Sequence, residues 1–425
     1  MRIQLRNRLH HVDHIAGASV RILGANGVAL VSGTTNAVGA VQLNITALPA
    51  GTYTCEIRAP HTFDGPVGPT LVSSGVVPER VYRPVDLTLV RTAAGITNAT
   101  PSVAQHAHVT IASGNLIVDV QPVWMRSTKS SNRGQPISMI IVHHTACALG
   151  PAVSTFLGEK GPHYMIDTDG QIVKWVQEAR AAWHAGEARW SGHSDINARS
   201  IGIEIVHKTG DYPEAQYTAL LDLLARLRTA FPAVDAWDII GHSDVGTNGA
   251  GRLGRKSGDP GALFQWSRLE RRGLGMSAIA GPPNVATIYG GFFQAVPTGS
   301  LRLNDSDAHH RFDGVARPTI TGTPVEELQQ DLATIGYSVG TPDGDFGQRS
   351  HHAVIAFQEH FFAGGRGHKA PDGRVDLQTA ALIKNVVGAA ALRGGTIAGG
   401  VVPGVTTGVV GGALQGAGAT VGAGH

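Results

Sequence analysis

The sequence predicts a multidomain protein with an N-terminal β-sandwich, a central α/β domain with a mixed sheet and flanking helices, and a small all-α C-terminal module. The chain has 425 residues, which is enough for several separate cores. Its hydrophobic pattern changes from short alternating runs to alternating strand and helix patterns, and then to helical patterns alone. Stretches rich in small and polar residues separate these regions.

Charge and cysteine content exclude several classes of function. Lys and Arg number 34 against 32 Asp and Glu, which gives a formal net charge of +2. No basic stripe with interleaved aromatic residues is present, so we expect no nucleic-acid partner. Cys55 and Cys147 lie in different predicted domains, so we expect neither a disulfide framework nor a thiolate metal site. The amino-terminal segment has cations but no apolar run behind them, and we expect no secretory signal peptide.

Residues 1–95 have the pattern of a β-sandwich. Short β-branched runs such as "ASVRILGANG", "VALVSGTT" and "AVQLNITALPAGTYTCEIRAP" alternate in polarity and are separated by turn residues. This pattern resembles the transthyretin-like modules, which implies a spacer or docking role. Residues 96–122 are rich in Ala, Thr and Ser, and we predict a connector there with one strand, "NLIVDV".

Residues 123–272 alternate between strands and helices. The runs "SMIIVHHT" and "SIGIEIVH" are rich in Ile and Val and too short for typical helices, which predicts buried strands. The segment "WDIIGHSD" predicts a third strand that ends in a histidine. A helix is indicated by apolar residues at helical spacing, namely Leu220, Leu223, Leu224 and Leu227. The sequence therefore predicts an α/β domain with histidines at its strand ends.

The C-terminal part is predicted as a linker followed by two amphipathic helices. Residues 273–322 are rich in Gly, Pro, Ser and Asp and predict a linker, although "IYGGFFQAV" is apolar enough to pack on something. Pro324 suits the first turn of a helix, where its missing N–H costs nothing. Residues 323–385 form the helical module, whose apolar positions are Val325, Leu328, Leu332 and Ile335 in one helix and Val354, Phe357 and Phe361 in the next.

Residues 386–425 are a Gly-rich tail with two open interpretations. Glycine recurs at every fourth position, at Gly400, Gly404, Gly408, Gly412 and Gly416. A continuous stripe of small residues would let helices pack closely, which favours membrane contact or self-association. Pro403 interrupts the stripe and glycine makes a helix costly in water, which favours a flexible tail instead.

The histidines at strand ends predict a metal site. A catalytic zinc needs three protein ligands with imidazole or carboxylate character and one open position. His143 and His242 end predicted strands, and Asp259 lies in a polar loop immediately before Pro260 and Gly261. The sequence therefore predicts a Zn²⁺ site formed by His143, His242 and Asp259. The alternative for any one histidine at a strand end is a purely structural role.

Five sequence blocks carry a resemblance to a known family. They are "IVHHTA", "PHYMIDTDGQIVKWV", "AAWHAGEARW", "RSIGIEIV" and "GHSD…GRKSGDPG", in that order between residues 141 and 261. These blocks resemble the zinc-dependent N-acetylmuramoyl-L-alanine amidases of the type-2 family, which includes the peptidoglycan recognition proteins. The resemblance implies the same three zinc ligands and hydrolysis of the amide bond between N-acetylmuramic acid and L-alanine.

The resemblance also assigns roles to other residues. Glu204 would be the general base and Lys256 would stabilise the oxyanion. Two residues separate Lys256 from Asp259, where the family usually has one, so the position of the Lys256 ammonium is open. Implied substrate contacts fall on His144, His163, Tyr164, Trp183, His184 and Asn197. For His144 and for the Trp183–His184 pair, plain packing is an equal alternative.

A second resemblance covers residues 323–385. The skeleton "LQ..L…GY…DG.FG…AV..FQ" is similar to the helical peptidoglycan-binding module found in wall hydrolases. It implies peptidoglycan as the partner, with the enzyme tethered to an insoluble polymer. Cytoplasmic recycling enzymes have little use for such a module, so we expect action on a cell wall after holin-dependent phage lysis or delivery by a dedicated secretion apparatus. The alternatives are a non-catalytic peptidoglycan-binding protein and a structural component of a phage or contractile injection particle.

Overall fold

The N-terminal domain is a sandwich of two β-sheets. The computed structural model describes residues 1–66, 78–246, 258–279, 288–362 and 370–393. Its first ten strands are β1 (Arg2–Asn7), β2 (Ser19–Leu23), β3 (Ala29–Thr34), β4 (Ala40–Gln42), β5 (Gly51–Arg58), β6 (Arg80–Tyr82), β7 (Val85–Thr92), β8 (Gly95–Pro101), β9 (Ala107–Ala112) and β10 (Asn115–Val120). One sheet has the antiparallel order β3-β2-β5-β7-β8 and the other has the order β4-β1-β10-β9. Leu5, Ile22 and Leu87 are buried between the two sheets.

The sandwich extends to Val120, so the predicted connector at residues 96–122 is wrong. β8 pairs with β7, and β9 and β10 join the sheet of β1. The predicted strand "NLIVDV" is confirmed as β10. β8 and β9 are rich in Thr and Ala and largely exposed, so their few apolar residues give only a weak strand signal in the sequence.

The central domain is built on a seven-stranded mixed sheet. Its elements are β11 (Pro122–Met125), β12 (Ser130–Asn132), β13 (Met139–His144), α1 (Leu149–Gly158), β14 (Tyr164–Ile166), β15 (Ile172–Lys174), β16 (Arg180–Ala182), α2 (Ile196–Arg199), β17 (Ser200–Ile205), α3 (Glu214–Ala230), β18 (Ile239–Gly241), α4 (His242–Val245) and α5 (Trp266–Glu270). The strand order is β18-β13-β17-β14-β15-β11-β6. The first four strands of this order are parallel to one another, and β15 is antiparallel to β14.

The two faces of this sheet are covered by different parts of the chain. Because side chains alternate along a strand, Ile140 and Val142 face one side and Met139 and Ile141 the other. Ile140 and Val142 pack with the leucines of α3, which confirms the predicted amphipathic helix. Met139 and Ile141 belong to the same core as the C-terminal helices. The C-terminal region is therefore packed onto one face of the central sheet.

The C-terminal region includes the segment predicted as a linker. Its elements are α6 (Phe292–Ala295), β19 (Arg311–Phe312), β20 (Val315–Ala316), α7 (Pro324–Ile335), α8 (Gln348–Phe361) and α9 (Leu377–Arg393). Tyr289, Phe292, Leu301 and Phe312 are buried in the core shared with α7 and α8. The prediction of a linker at 273–322 is therefore wrong, because most of these apolar side chains lie on elements of two to four residues, which are too short to show a period in the sequence.

The helical module contains one turn motif twice. The side-chain oxygen of Gln329 accepts hydrogen bonds from both backbone N–H groups of the Asp343–Gly344 turn, and Gln358 does the same for the Asp372–Gly373 turn. Gly344 and Gly373 have φ values of 74° and 68°, a conformation that favours glycine. These bonds account for the "Q…DG" spacing of the sequence.

The last described helix crosses the predicted boundary at residue 385. α9 runs from Leu377 to Arg393, so the first residues of the predicted tail are helical. The glycine stripe from Gly400 to Gly416 lies outside the described residues. Among the residues that are described, no helix has the length and apolar character needed to cross a membrane.

Candidate metal centre

Three parallel strands bring the predicted histidines to one edge of the central sheet. β18, β13 and β17 lie side by side, and His143 and Glu204 are directly opposite each other in the register of β13 and β17. β18 ends at Gly241, and His242 follows as the first residue of α4. Because the carboxyl ends of parallel strands meet at the same edge, the three side chains converge.

His143, His242 and Asp259 form a compact group. The distance from Asp259 Oδ2 to Nδ1 is 2.9 Å for His242 and 3.7 Å for His143. One ligand atom from each residue lies within 4.8 Å of the others. His143 and His242 are 1% and 2% exposed, and Asp259 is largely buried. The structure thus brings together the three predicted metal ligands.

Hydrogen bonds define which nitrogen of His242 carries the proton. Its Nε2 lies 2.9 Å from the carbonyl oxygen of Ala185. A carbonyl oxygen can only accept, so Nε2–H is the donor and Nδ1 of the neutral ring presents its lone pair to Asp259.

A longer chain of hydrogen bonds orients His143. Ser200 donates its hydroxyl proton to the carbonyl of Ile196 at 2.6 Å and therefore accepts from His184 Nε2 at 3.1 Å. His184 Nδ1 is then an acceptor, and His143 Nε2–H donates to it at 2.9 Å. The Nδ1 lone pair of His143 is left facing Asp259. Burial lowers the pKa of His184 well below its ordinary value, so that its ring stays neutral.

The resulting group of donors suits a zinc ion. The carboxylate oxygen Oδ2 of Asp259 lies 2.9 Å from Nδ1 of His242 and 3.7 Å from Nδ1 of His143. With the tautomers given above, two imidazole lone pairs and one carboxylate oxygen converge, an arrangement that a cation among them would stabilise. Two His and one carboxylate are ligands that catalytic zinc accepts, and each imidazole is oriented through its other nitrogen.

Asp259 is held by backbone groups on both sides. Its Oδ1 accepts from the backbone N–H of His144 at 2.8 Å, and its carbonyl oxygen accepts from the N–H of Ser243 at 2.7 Å. The adjacent histidines of "VHH" thus have different tasks, because His143 offers its ring and His144 its backbone. His144 Nδ1 donates to Tyr212 at 3.0 Å, and the Tyr212 hydroxyl donates to the Pro260 carbonyl at 2.7 Å. Burial lowers the pKa of His144.

A cavity of about 320 Å³ opens onto this group. Glu204, His242 and Asp259 line it, and Glu204 is 9% exposed. Thr155 and Lys160 also line the cavity and were not predicted from the sequence. Lys160 precedes the block "GPHYMI" at an exposed position, where no periodicity or spacing distinguishes it from a surface lysine.

Five of the six predicted substrate contacts fall into three groups. His144 and His184 line the cavity, and Trp183 is 44% exposed beside His184 without lining it. His163 and Tyr164 are 0% and 2% exposed, which does not support direct substrate contact. His163 Nδ1 accepts from the N–H of Gly202, and its Nε2–H donates to Arg180 O.

Asn197 acts on the backbone behind the metal group. Its side-chain oxygen accepts from the N–H groups of His184 and Ala185 at 3.1 and 2.8 Å. The carbonyl of Ala185 is in turn the partner of His242. Lys256, the predicted oxyanion partner, lies outside the described residues, and its role stays a prediction.

Two segments of the chain match known protein families. Residues 133–262 match the N-acetylmuramoyl-L-alanine amidase family, and residues 321–383 match the peptidoglycan binding domain family. The chain is similar to the 1,6-anhydro-N-acetylmuramyl-L-alanine amidase AmpD of Enterobacter cloacae, with 39% identity over 25% of this chain and 52% of the relative. It is 25% identical to the N-acetylmuramoyl-L-alanine amidase AmiD of Escherichia coli over 37% of this chain and 62% of that protein. The chain thus spans about half the length of the AmpD relatives of Enterobacter cloacae and Escherichia coli.

Similar solved structures include two bound to muramyl peptides. One is E. coli AmiD with anhydro-N-acetylmuramic acid-L-Ala-D-gamma-Glu-L-Lys, at a TM-score of 0.44 and 21% identity over 66% of this chain and 97% of AmiD. The other is AmpDh3 from Pseudomonas aeruginosa with anhydromuramic pentapeptide, at a TM-score of 0.44 and 24% identity over 61% of this chain and 93% of AmpDh3.

Proposed function

Because residues 133–262 are a domain of the N-acetylmuramoyl-L-alanine amidase family and residues 321–383 a peptidoglycan-binding domain, we propose that this protein hydrolyses the amide bond between N-acetylmuramic acid and L-alanine in peptidoglycan. The observation that carries the proposal is the convergence of His143, His242 and Asp259 beside Glu204 in one cavity. A binding protein would need neither the three ligand atoms nor a carboxylate on the cavity wall.

The side chains of the cavity supply the remaining chemistry. A zinc ion held by His143, His242 and Asp259 would supply the Lewis acidity that makes water a nucleophile near neutral pH. Glu204 is a carboxylate on the cavity wall, and its task is to accept a proton from the attacking water and to return it to the departing amine of L-alanine. Lys256 is the proposed partner of the developing oxyanion.

A second cavity gives the substrate room beyond the scissile bond. It has a volume of about 580 Å³ and shares Cys147 with the cavity of the metal group. Arg8 and His108 of the N-terminal sandwich line it on one side, and Lys208 of the central domain on the other. These polar side chains suit a peptide or glycan, so we infer that the polymer extends along this groove and that the sandwich forms part of its wall.

The biological setting follows from the polymer-binding domain. A tethered enzyme keeps a high local concentration on an insoluble wall. We infer action on a cell wall, in the periplasm or outside the cell, as a phage lysis enzyme released through a holin or as an antibacterial effector delivered by a secretion apparatus. Contact of the Gly-rich tail with a membrane is part of this proposal and is tested by liposome binding of the full chain and of a chain truncated after Arg393.

Mass spectrometry of the products from purified peptidoglycan tests the proposed reaction. Wild-type protein should release peptides that begin with free L-alanine. Chelator should abolish the release and added zinc should restore it. Glu204→Gln should reduce the rate by about 10²-fold to 10⁴-fold, the usual contribution of a general base.

Glu159→Gln is the matched control, because Glu159 is an exposed glutamate beside α1. We expect this variant to retain the wild-type rate. Zinc-loaded protein that binds the wall but releases no such peptide would refute the proposed hydrolysis and favour a non-catalytic binding protein.

A further inference from the structure

Helix α8 of the peptidoglycan-binding domain packs directly on the metal-binding edge of the central domain. Val245 of α4 and Val354 and Phe357 of α8 are buried in one continuous core. The ring of His360 stacks on Trp266 at a centroid distance of 4.1 Å and an interplanar angle of 11°. The two family domains therefore share an interface at the metal group.

A buried carboxylate joins this interface to the segment that carries His242. Asp244 is 1% exposed and lies in α4, two residues after His242. It accepts hydrogen bonds from the N–H of Gly241 at 2.8 Å, from the hydroxyl of Tyr337 at 2.8 Å and from His360 Nδ1 at 2.9 Å. Tyr337 and His360 belong to the peptidoglycan-binding domain, and Gly241 belongs to the central domain.

Glu359 joins the same interface to the segment that carries Asp259. Both of its carboxylate oxygens accept from the backbone N–H of Gly258, at 2.9 and 3.0 Å. It also forms a side-chain hydrogen bond with Ser243. Gly258 directly precedes Asp259, and Ser243 directly follows His242, so that one carboxylate bridges the neighbours of two predicted metal ligands. Glu359 is only 7% exposed.

We propose that Glu359 is a positioning residue of the metal centre, so that the peptidoglycan-binding domain holds two of the zinc ligands in place as well as binding the wall. The proposal rests on the proposed function, because it takes His143, His242 and Asp259 as zinc ligands. Glu359 touches none of these side chains and acts through Gly258 and Ser243. Partners of this kind typically change metal affinity by about 10-fold to 100-fold when they are removed.

The zinc dissociation constant of the full chain tests this proposal. We expect Glu359→Ala to raise it by about tenfold or more, since the segments of His242 and Asp259 lose their common acceptor. We expect Glu359→Gln, which keeps one acceptor oxygen, to bind zinc more tightly than Glu359→Ala. The constant is measured by competition with a chelator on zinc-free protein, so that the readout does not depend on catalysis.

Glu327→Ala is the matched control. Glu327 lies in the same domain and accepts from the backbone N–H of Gly290 at 2.9 Å, but it makes no described contact with the metal-binding segments. It should lower stability without changing the zinc dissociation constant. Wild-type affinity in Glu359→Ala, or an equal loss in Glu327→Ala, would overturn the proposal.

Hydrogen exchange of the wild-type protein gives a second test that needs no substitution. Because coupling between two sites is reciprocal, zinc should slow amide exchange in α8 as well as in α4. Unchanged exchange in α8 after zinc binding would overturn the proposal. If the wild type does not bind zinc at all, the proposed function fails. Failure of the proposed function is thereby distinguished from failure of the positioning role of Glu359.

Discussion

Replacement of His184 by phenylalanine tests the hydrogen-bond chain behind the metal group. Phenylalanine keeps an aromatic ring at this site but removes both nitrogens. His143 Nε2–H then loses its acceptor at 2.9 Å, and the Ser200 hydroxyl loses its donor at 3.1 Å. An unsatisfied buried donor costs about 1–3 kcal/mol. In addition, the tautomer of His143 with its proton on Nδ1 becomes competitive, and this tautomer directs a proton at Asp259 in place of a lone pair.

The expected magnitude follows from this change of tautomer. We expect the zinc dissociation constant to rise by about 10-fold to 100-fold, which corresponds to about 1.4–2.7 kcal/mol. The assay is competition with a chromogenic chelator, combined with steady-state kinetics at saturating zinc. Circular dichroism checks that the variant is folded.

Trp183→Ala is the control, because Trp183 is the exposed neighbour for which the sequence implies the same role. It should leave the zinc dissociation constant unchanged and should raise KM if it contacts the stem peptide. A normal zinc dissociation constant in His184→Phe together with a raised KM would refute the reasoning, and would show that His184 contacts substrate rather than orienting His143.

Three other perturbations have expected outcomes. In Gly202→Ala the new Cβ would lie 2.4 Å from the ring of His184, so we expect overpacking to lower the free energy of unfolding in urea by about 1–3 kcal/mol. The control Gly150→Ala in α1 meets open space and should be neutral or stabilising. Burial lowers the pKa of His163 to about 3, so the unfolded chain takes up a proton below about pH 6.5 while the folded protein does not. The free energy of unfolding therefore has its full contribution from this histidine above pH 6.5 and should fall by about 1.4 kcal/mol per pH unit below it. His163→Gln should remove this slope. An equal slope in both proteins would contradict the assignment. Zinc at 100 times its dissociation constant should add about 2.7 kcal/mol to the free energy of unfolding, so chelator should lower the thermal midpoint of the wild type and leave that of Asp259→Ala unchanged.

Much of the metal group could be predicted because its residues follow strands with strong signals. His143 and His242 end short runs rich in Ile and Val, which are typical of buried strands, and parallel strands gather their carboxyl ends at one edge. Asp259 is predictable because a carboxylate precedes a Pro-Gly turn in the block that resembles the amidases. These signals are local, so they are readable without knowledge of the tertiary contacts.

Residues that act across domains could not be predicted in the same way. Glu359 and Asp244 occupy helix positions where a glutamate or aspartate is usually solvated, and only the packing of α8 on α4 buries them. The interpretation of residues 273–322 as a linker fails for a related reason, since Tyr289 and Phe312 reach the core from elements of two or three residues, which are too short to show a period. His163 lies in a block that resembles the amidases, which implies substrate contact, but the structure buries its ring and directs its two nitrogens to Gly202 and Arg180.

X-ray absorption spectroscopy of the zinc-loaded full chain tests the central claim most directly. With His143, His242 and Asp259 as ligands, we expect one zinc per chain with two imidazole nitrogens at about 2.0–2.1 Å and carboxylate oxygen at about 2.0–2.2 Å. Asp259→Ala should lose zinc at a concentration that saturates the wild type. Sulfur scattering at about 2.3 Å, which would place Cys147 of the cavity wall on the metal, or full zinc binding by Asp259→Ala, would contradict the assignment of this site.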